Sequence, residues 1–98
     1  MTIAELTGID VPTGLLIGGE WGGGRGGSTF PVLDPATEEP VTEVADGTVE
    51  DALAAVEAAH AALPGWAATP PRQRSEILRR AFELMTERAE SLARLMSL

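Results

Sequence analysis

The first clear pattern along the chain is an alternation. In Leu15-Leu-Ile-Gly-Gly-Glu-Trp21 the positions Leu15, Ile17 and Trp21 tend to one side, which predicts a strand weakened by two glycines. Thr29-Phe-Pro-Val-Leu33 predicts a second strand, with Phe30 and Val32 on one face. Pro31 has no N–H to donate, so that strand is expected at an edge. Between them lies Gly-Gly-Gly-Arg-Gly-Gly over 22–27, read as the flexible loop of a hairpin joining the two strands. Asp34-Pro35-Ala36-Thr37 predicts a turn, since proline presets the first turn dihedral and the aspartate carboxylate caps it. Val41–Ala45 reads as a third short strand, closed by Asp46-Gly47. Upstream, residues 1–13 carry no clear period and are punctuated by Gly8 and Pro12, which predicts an extended leader.

The second half changes period from two to about four. Thr48 and Asp51 have the spacing of a capping box, with Glu50 and Asp51 in the positive first turn of a helix. Val49, Leu53, Val56, His60 and Leu63 form one stripe at helical spacing, and Pro64-Gly65 is expected to end the helix. Thr69-Pro70-Pro71 opens a second helix, whose stripe of Ile77, Leu78, Ala81, Phe82 and Met85 is expected to be buried. Its opposite face carries Arg72, Glu76, Arg79, Arg80, Glu83 and Glu87, predicting the pairs Arg72–Glu76, Glu76–Arg80 and Arg79–Glu83. A third helical pattern, with Leu92, Leu95 and Met96, starts near Glu87 and runs to Leu98 without a stop signal, as if the chain were a truncated piece. Strands precede helices instead of alternating with them. The expected class is therefore α+β: a β-hairpin, a short third strand, then two or three helices.

Composition limits what such a segment does. With 98 residues it holds one small domain at most, and only four aromatic side chains (Trp21, Phe30, Trp66, Phe82) are available as anchors. Net charge is −8, unfavourable for a nucleic-acid partner. Cysteine is absent, which excludes disulfides and thiolate metal sites and fits a cytoplasmic location. The start lacks the basic head of a signal peptide, and no apolar run approaches the ~20 residues that cross a bilayer, so no membrane role is expected.

Three features carry candidate chemistry. Gly22, Gly24 and Gly27 satisfy a bare G-x-G-x-x-G, but a dinucleotide site needs a helix opening directly afterwards, and here a proline-bearing strand follows. His60, the single histidine, sits on an apolar stripe with no recognisable nucleophile or carboxylate partner, and is read as packed or snorkelling near a helix end. Of the arginines 72, 74, 79 and 80, three share a face with glutamates and read as a solvated ion-paired surface; Arg74 departs toward the apolar side, free to pair beyond this segment. None of the three makes a catalytic, cofactor or metal site.

Taken in order, Leu16-Ile-Gly-Gly-Glu-Trp21, Phe30-Pro-Val-Leu-Asp-Pro-Ala-Thr-Glu38, Thr48-Val-Glu-Asp-Ala-Leu-Ala-Ala-Val-Glu-Ala-Ala59 and Thr69-Pro-Pro-Arg-Gln-Arg-Ser-Glu-Ile-Leu-Arg79 resemble the N-terminus of the aldehyde dehydrogenase superfamily. That family writes the first two as I-G-G-E-W and F-x-V-x-N-P-A-T-G-E. Pro12–Trp21 and Trp66–Arg72 are most similar to its succinate-semialdehyde branch. Two departures stand out: Asp34 replaces the usual Asn, and Glu39 is read as standing where Gly is common, so the turn is expected to lack its positive-φ residue.

The resemblance implies that residues 14–98 are the incomplete N-terminal part of a Rossmann-like cofactor domain, preceded by the 1–13 leader. It implies an enzyme in which a cysteine thiolate attacks the aldehyde, hydride passes to NAD or NADP, and a glutamate-activated water hydrolyses the thioester. No catalytic or cofactor-binding residue of that kind maps onto this chain, which is expected to be inactive alone and to bind no nucleotide. The family's monovalent-cation site implies one ligand here, the backbone carbonyl of Val32. Implied partners are the rest of the enzyme chain and further subunits of a homo-oligomer, dimer or tetramer. The alternative, from another class, is a free-standing helical interaction module without enzymatic activity.

Overall fold

In the computed structural model, which describes residues 2–98, the elements run α1 (Ile3–Thr7), β1 (Leu15–Ile17), β2 (Glu20–Gly22), β3 (Thr29–Leu33), β4 (Pro40–Ala45), α2 (Val49–Ala68), α3 (Pro71–Glu87) and α4 (Ala89–Ser97). The expected α+β class is observed. The strand pairing differs from expectation. Leu15–Trp21 is not one strand but folds on itself: Gly18 and Gly19 both take positive φ (63° and 81°), the backbone of a tight two-residue hairpin turn. β1 then pairs antiparallel with β2, Leu16 facing Trp21. Gly14 sits so close to the returning strand that a Cβ there would lie 2.5 Å from the Gly22 carbonyl oxygen.

β3 pairs with β4 instead of with the first strand, Phe30 opposite Val44 and Pro31 opposite Glu43. Each sheet has two strands, so Pro31 interrupts no central ladder. The Asp34 turn is built as expected, its carboxylate accepting from the Ala36 N–H at 2.8 Å. The expected loss of a positive-φ residue does not occur. Glu38 takes φ 61°, and counting from Asp34 along N-P-A-T-G-E places the family's glycine at 38, not 39. A glutamate there carries the steric strain that glycine avoids. Ala45 N–H ties β4 to the segment before β1 through the Thr13 carbonyl, and Asp46 N–H extends the β3–β4 ladder to the Ser28 carbonyl, both at 2.8 Å.

The predicted extended leader is partly helical. Thr2 and Glu5 form a reciprocal capping box, and Gly8 ends the helix in the left-handed region at φ 76°. That Thr-x-x-Glu…Gly signature was present in the sequence; five residues are simply too few to show a period. α1 lies on α4, with Thr7 fully buried and Gly8 close to the Ser91 hydroxyl.

α2 starts at the Thr48 cap as expected but runs through Pro64-Gly65 to Ala68. Pro64 lacks the N–H that would bond the His60 carbonyl, and this stretch of the helix is exposed to solvent. The stop comes at Thr69, which precedes Pro70 and is therefore pushed out of the helical region (φ −65°, ψ 130°). Its N–H reaches the Trp66 carbonyl at 3.1 Å and its hydroxyl the Gly65 carbonyl at 2.9 Å. His60 is consequently mid-helix and exposed, neither packed nor near a helix end.

The α3 stripe, expected to be buried, is exposed, and so is the stripe of α2. Val49, Leu53, Val56 and Leu63 on α2, and Ile77, Leu78, Phe82 and Met85 on α3, all face solvent, Phe82 at 67%. The cap and α2 residues that line the space beside β1 are Thr48, Asp51, Ala52 and Ala55, and the half-buried positions farther along the helix are alanines. Among the described residues no hydrophobic side chain is fully buried. The radius of gyration is 16.8 Å, against about 13 Å for a closed domain of this length. The accessible surface is 7682 Å², against roughly 5,300 Å² for a folded monomer of this mass. The segment has secondary structure and local turns without a closed core.

Candidate functional site

The chain's most organised group of side chains lies where both hairpins meet the start of α2. Thr48 takes an extended backbone and caps the helix, its hydroxyl accepting from the Asp51 N–H at 3.2 Å. Asp51 answers with one carboxylate oxygen, Oδ2, which accepts from Thr48 N–H at 2.8 Å and Thr48 Oγ1 at 3.0 Å. The same oxygen accepts from the backbone N–H of Arg25, 3.1 Å away and 26 positions earlier. The Arg25 guanidinium approaches Oδ1 at 3.7 Å but remains 64% exposed, while the Asp51 side chain is 8% exposed.

This setting holds the Asp51 carboxyl below its ordinary pKa. The backbone N–H of Thr48 is the main cause, opposed by burial and reinforced by the Arg25 N–H, the Thr48 hydroxyl and the Arg25 charge. Because the folded value is depressed, the stabilisation is present above the ordinary carboxylate pKa and is lost as pH falls through the lowered one.

The glycine-rich loop therefore has a structural seat. Gly24 lies against the Asp46 carbonyl and Asp51, where a Cβ would stand 2.8 Å from the former and 3.3 Å from the latter. A nucleotide phosphate needs open N–H groups at a helix start. Here the loop leads into β3, and the α2 N-terminus is already filled by a carboxylate that would repel a phosphate. The residues present do not fit a dinucleotide. Beside the junction a shallow cleft of about 320 Å³ runs between β1 and α2, lined by Leu15, Ile17, Thr48, Asp51, Ala52 and Ala55. Its polar side chains, Thr48 and Asp51, are bonded to each other.

The remaining sequence candidates do not converge with this junction. Val32 lies in β3 opposite Thr42, at the irregularity between Val32 and Leu33. Among the described residues no group of three or more His, Cys, Asp or Glu side chains is placed to hold a metal. On α3, Arg79 pairs with Glu83 at 3.7 Å as expected; Arg80 turns to Glu83 (3.4 Å) and Glu87 (3.9 Å) and not to Glu76. Neither Arg72–Glu76 nor Glu76–Arg80 forms, and half-buried Arg74 has no ion-pair partner among the described residues. The functional contact that sequence reasoning missed is Arg25 to Asp51. A capping box announces Asp51 as a cap, but nothing local announces a partner 26 residues away.

Comparison with known proteins places this arrangement. The model of the aldehyde dehydrogenase family matches residues 21–98. A phenylacetaldehyde dehydrogenase from Pseudomonas fluorescens is 39% identical over 99 aligned positions, covering 99% of this chain and 20% of that protein. A succinate-semialdehyde dehydrogenase from Paenarthrobacter nicotinovorans is 60% identical over 55 positions, covering 56% of this chain and 12% of that one. The crystal structure of a succinate-semialdehyde dehydrogenase from Burkholderia pseudomallei superposes with a TM-score of 0.75 at 40% identity, over 79% of this chain and 16% of that chain. The chain thus spans a fifth or less of the relatives it matches. With a family match over most of its length and the same local fold, the chain belongs to the aldehyde dehydrogenase family.

Proposed function

We propose that this chain forms the N-terminal part of a cytoplasmic enzyme that oxidises succinate semialdehyde to the carboxylic acid with NAD(P)+. In that enzyme the segment does no chemistry. It carries no cysteine to attack an aldehyde, and its glycine-rich loop is seated on a carboxylate. Its work, as residues 14–98, is to frame the cofactor domain and to support contacts between subunits of a dimer or tetramer. The observation that carries this reading is the outward apolar stripe of α2 and α3, with no buried hydrophobic residue among those described. Such faces require covering by further polypeptide. The succinate-semialdehyde assignment is supported by the two relatives of that activity, one of them a structural match.

The test is reassembly. The 98-residue chain is co-expressed with a succinate-semialdehyde dehydrogenase lacking the corresponding segment, and NAD(P)H formation is followed. Activity with succinate semialdehyde is expected from the pair and from neither part alone. The isolated chain is expected to lose its helicity broadly on heating. A compact monomer that melts sharply and restores no activity would overturn the reading in favour of an autonomous interaction module.

A further inference from the structure

We propose that Asp51 is a conformational latch: one carboxylate both caps α2 and pins the glycine-rich loop, so that the hairpin–helix junction opens as a single unit. Three donors from two distant segments, Thr48 N–H, Thr48 Oγ1 and Arg25 N–H, converge on the same oxygen. Releasing that oxygen leaves all three without a partner at once, which links the helix cap to the loop. The loop is also closed internally, Gly27 N–H bonding the Gly24 carbonyl at 2.9 Å. Its far end is fixed by Asp46 N–H on the Ser28 carbonyl, next to Gly47, which lies against the Leu15 side chain. Loop, β4 exit, β1 and α2 start therefore share one joint.

The geometry separates essential parts from dispensable ones. Arg25 contributes its backbone N–H at 3.1 Å, while its guanidinium, 64% exposed, makes only the longer 3.7 Å approach to Oδ1, so the side chain is the more replaceable part. Gly24 is not replaceable, because a Cβ would strike the Asp46 carbonyl. Its φ is not in the left-handed region, so the penalty of a side chain there comes from contact alone. The latch stands on these contacts and is independent of the enzymatic reading.

Amide hydrogen exchange on the 98-residue chain tests it. In the unaltered chain the Arg25 and Thr48 amides are expected to exchange more slowly than in an unstructured peptide. In Asp51→Ala both are expected to accelerate together by about tenfold or more. Gly24→Ala, which leaves the carboxylate intact, is expected to accelerate the same two amides in step, and Arg25→Ala to change neither appreciably. Unprotected Arg25 and Thr48 amides in the unaltered chain overturn the latch. So does Gly24→Ala freeing Arg25 while Thr48 stays protected, or a large effect of Arg25→Ala.

Discussion

The junction around Asp51 and the helices α3–α4 are built on opposite terms. At the junction every polar group is answered within the segment: Thr48 and Asp51 cap each other, and the loop brings its own N–H to the same carboxylate. Along α3 the reverse holds. It has no side-chain N-cap, no acidic residue in its first turn and no basic residue in its last. Its apolar side chains face outward, and its polar order rests on exposed ion pairs. In α4, Leu92 and Leu95 are half-buried, while Met96 is 85% exposed. One region is held by hydrogen bonds made within the segment; the other presents an uncovered apolar face. Secondary structure and independence are thus separate properties. A helix with a strong stripe is the element that depends most on what packs against it.

The sharpest way to break this contrast is Phe82→Ala. In the reassembled enzyme it is expected to cost about 3–5 kcal/mol as a core truncation, yet to stay within about 0.5 kcal/mol in the isolated chain, where the ring is solvated. Thermal melts of both forms make the comparison, and equal effects would abolish it. Thr48→Ala should act in both forms, costing about 1 kcal/mol through the lost cap, read from exchange of the first α2 amides. Acidification probes the same junction. Protection of the Arg25 and Thr48 amides should be constant above the ordinary carboxylate range and fall as pH drops through the depressed Asp51 value.

A stabilising change of similar or smaller size is expected at Glu38→Gly, which relieves the φ of 61° and should gain up to about 1 kcal/mol. Slower exchange of the Asp34 and Glu38 amides, both bonded within that turn, would register it. Smallest of all, Glu83→Gln should cost about 0.2–0.5 kcal/mol of α3 helicity per lost pair. The loss should shrink with added salt, followed by circular dichroism.

Where local rules act alone, the residues were sufficient. The Thr48–Asp51 box, the Asp34 turn and the Pro71 start each depend on a handful of neighbours, and each is where the pattern put it. The Thr2–Glu5 box and the Gly18-Gly19 turn were equally local and were legible in principle, but their elements are too short for periodicity to display. The family was also legible, because ordered motifs survive even in a piece this short.

What no local rule contained was which strand pairs with which, which side of α2 is turned inward, and what Asp51 holds. β3 joins β4 and not β1: the Gly18-Gly19 turn folds β1 onto β2, and the Asp34 turn folds β3 onto β4. The large stripe of α2 points outward, and its half-buried positions are the alanines at 54, 55 and 58. Arg25 meets Asp51 only after the chain has turned at both hairpins. Periodicity in a sequence marks which face of a helix wants burial. Only the tertiary structure decides whether anything lies there to bury it, since that depends on contacts between residues far apart along the chain.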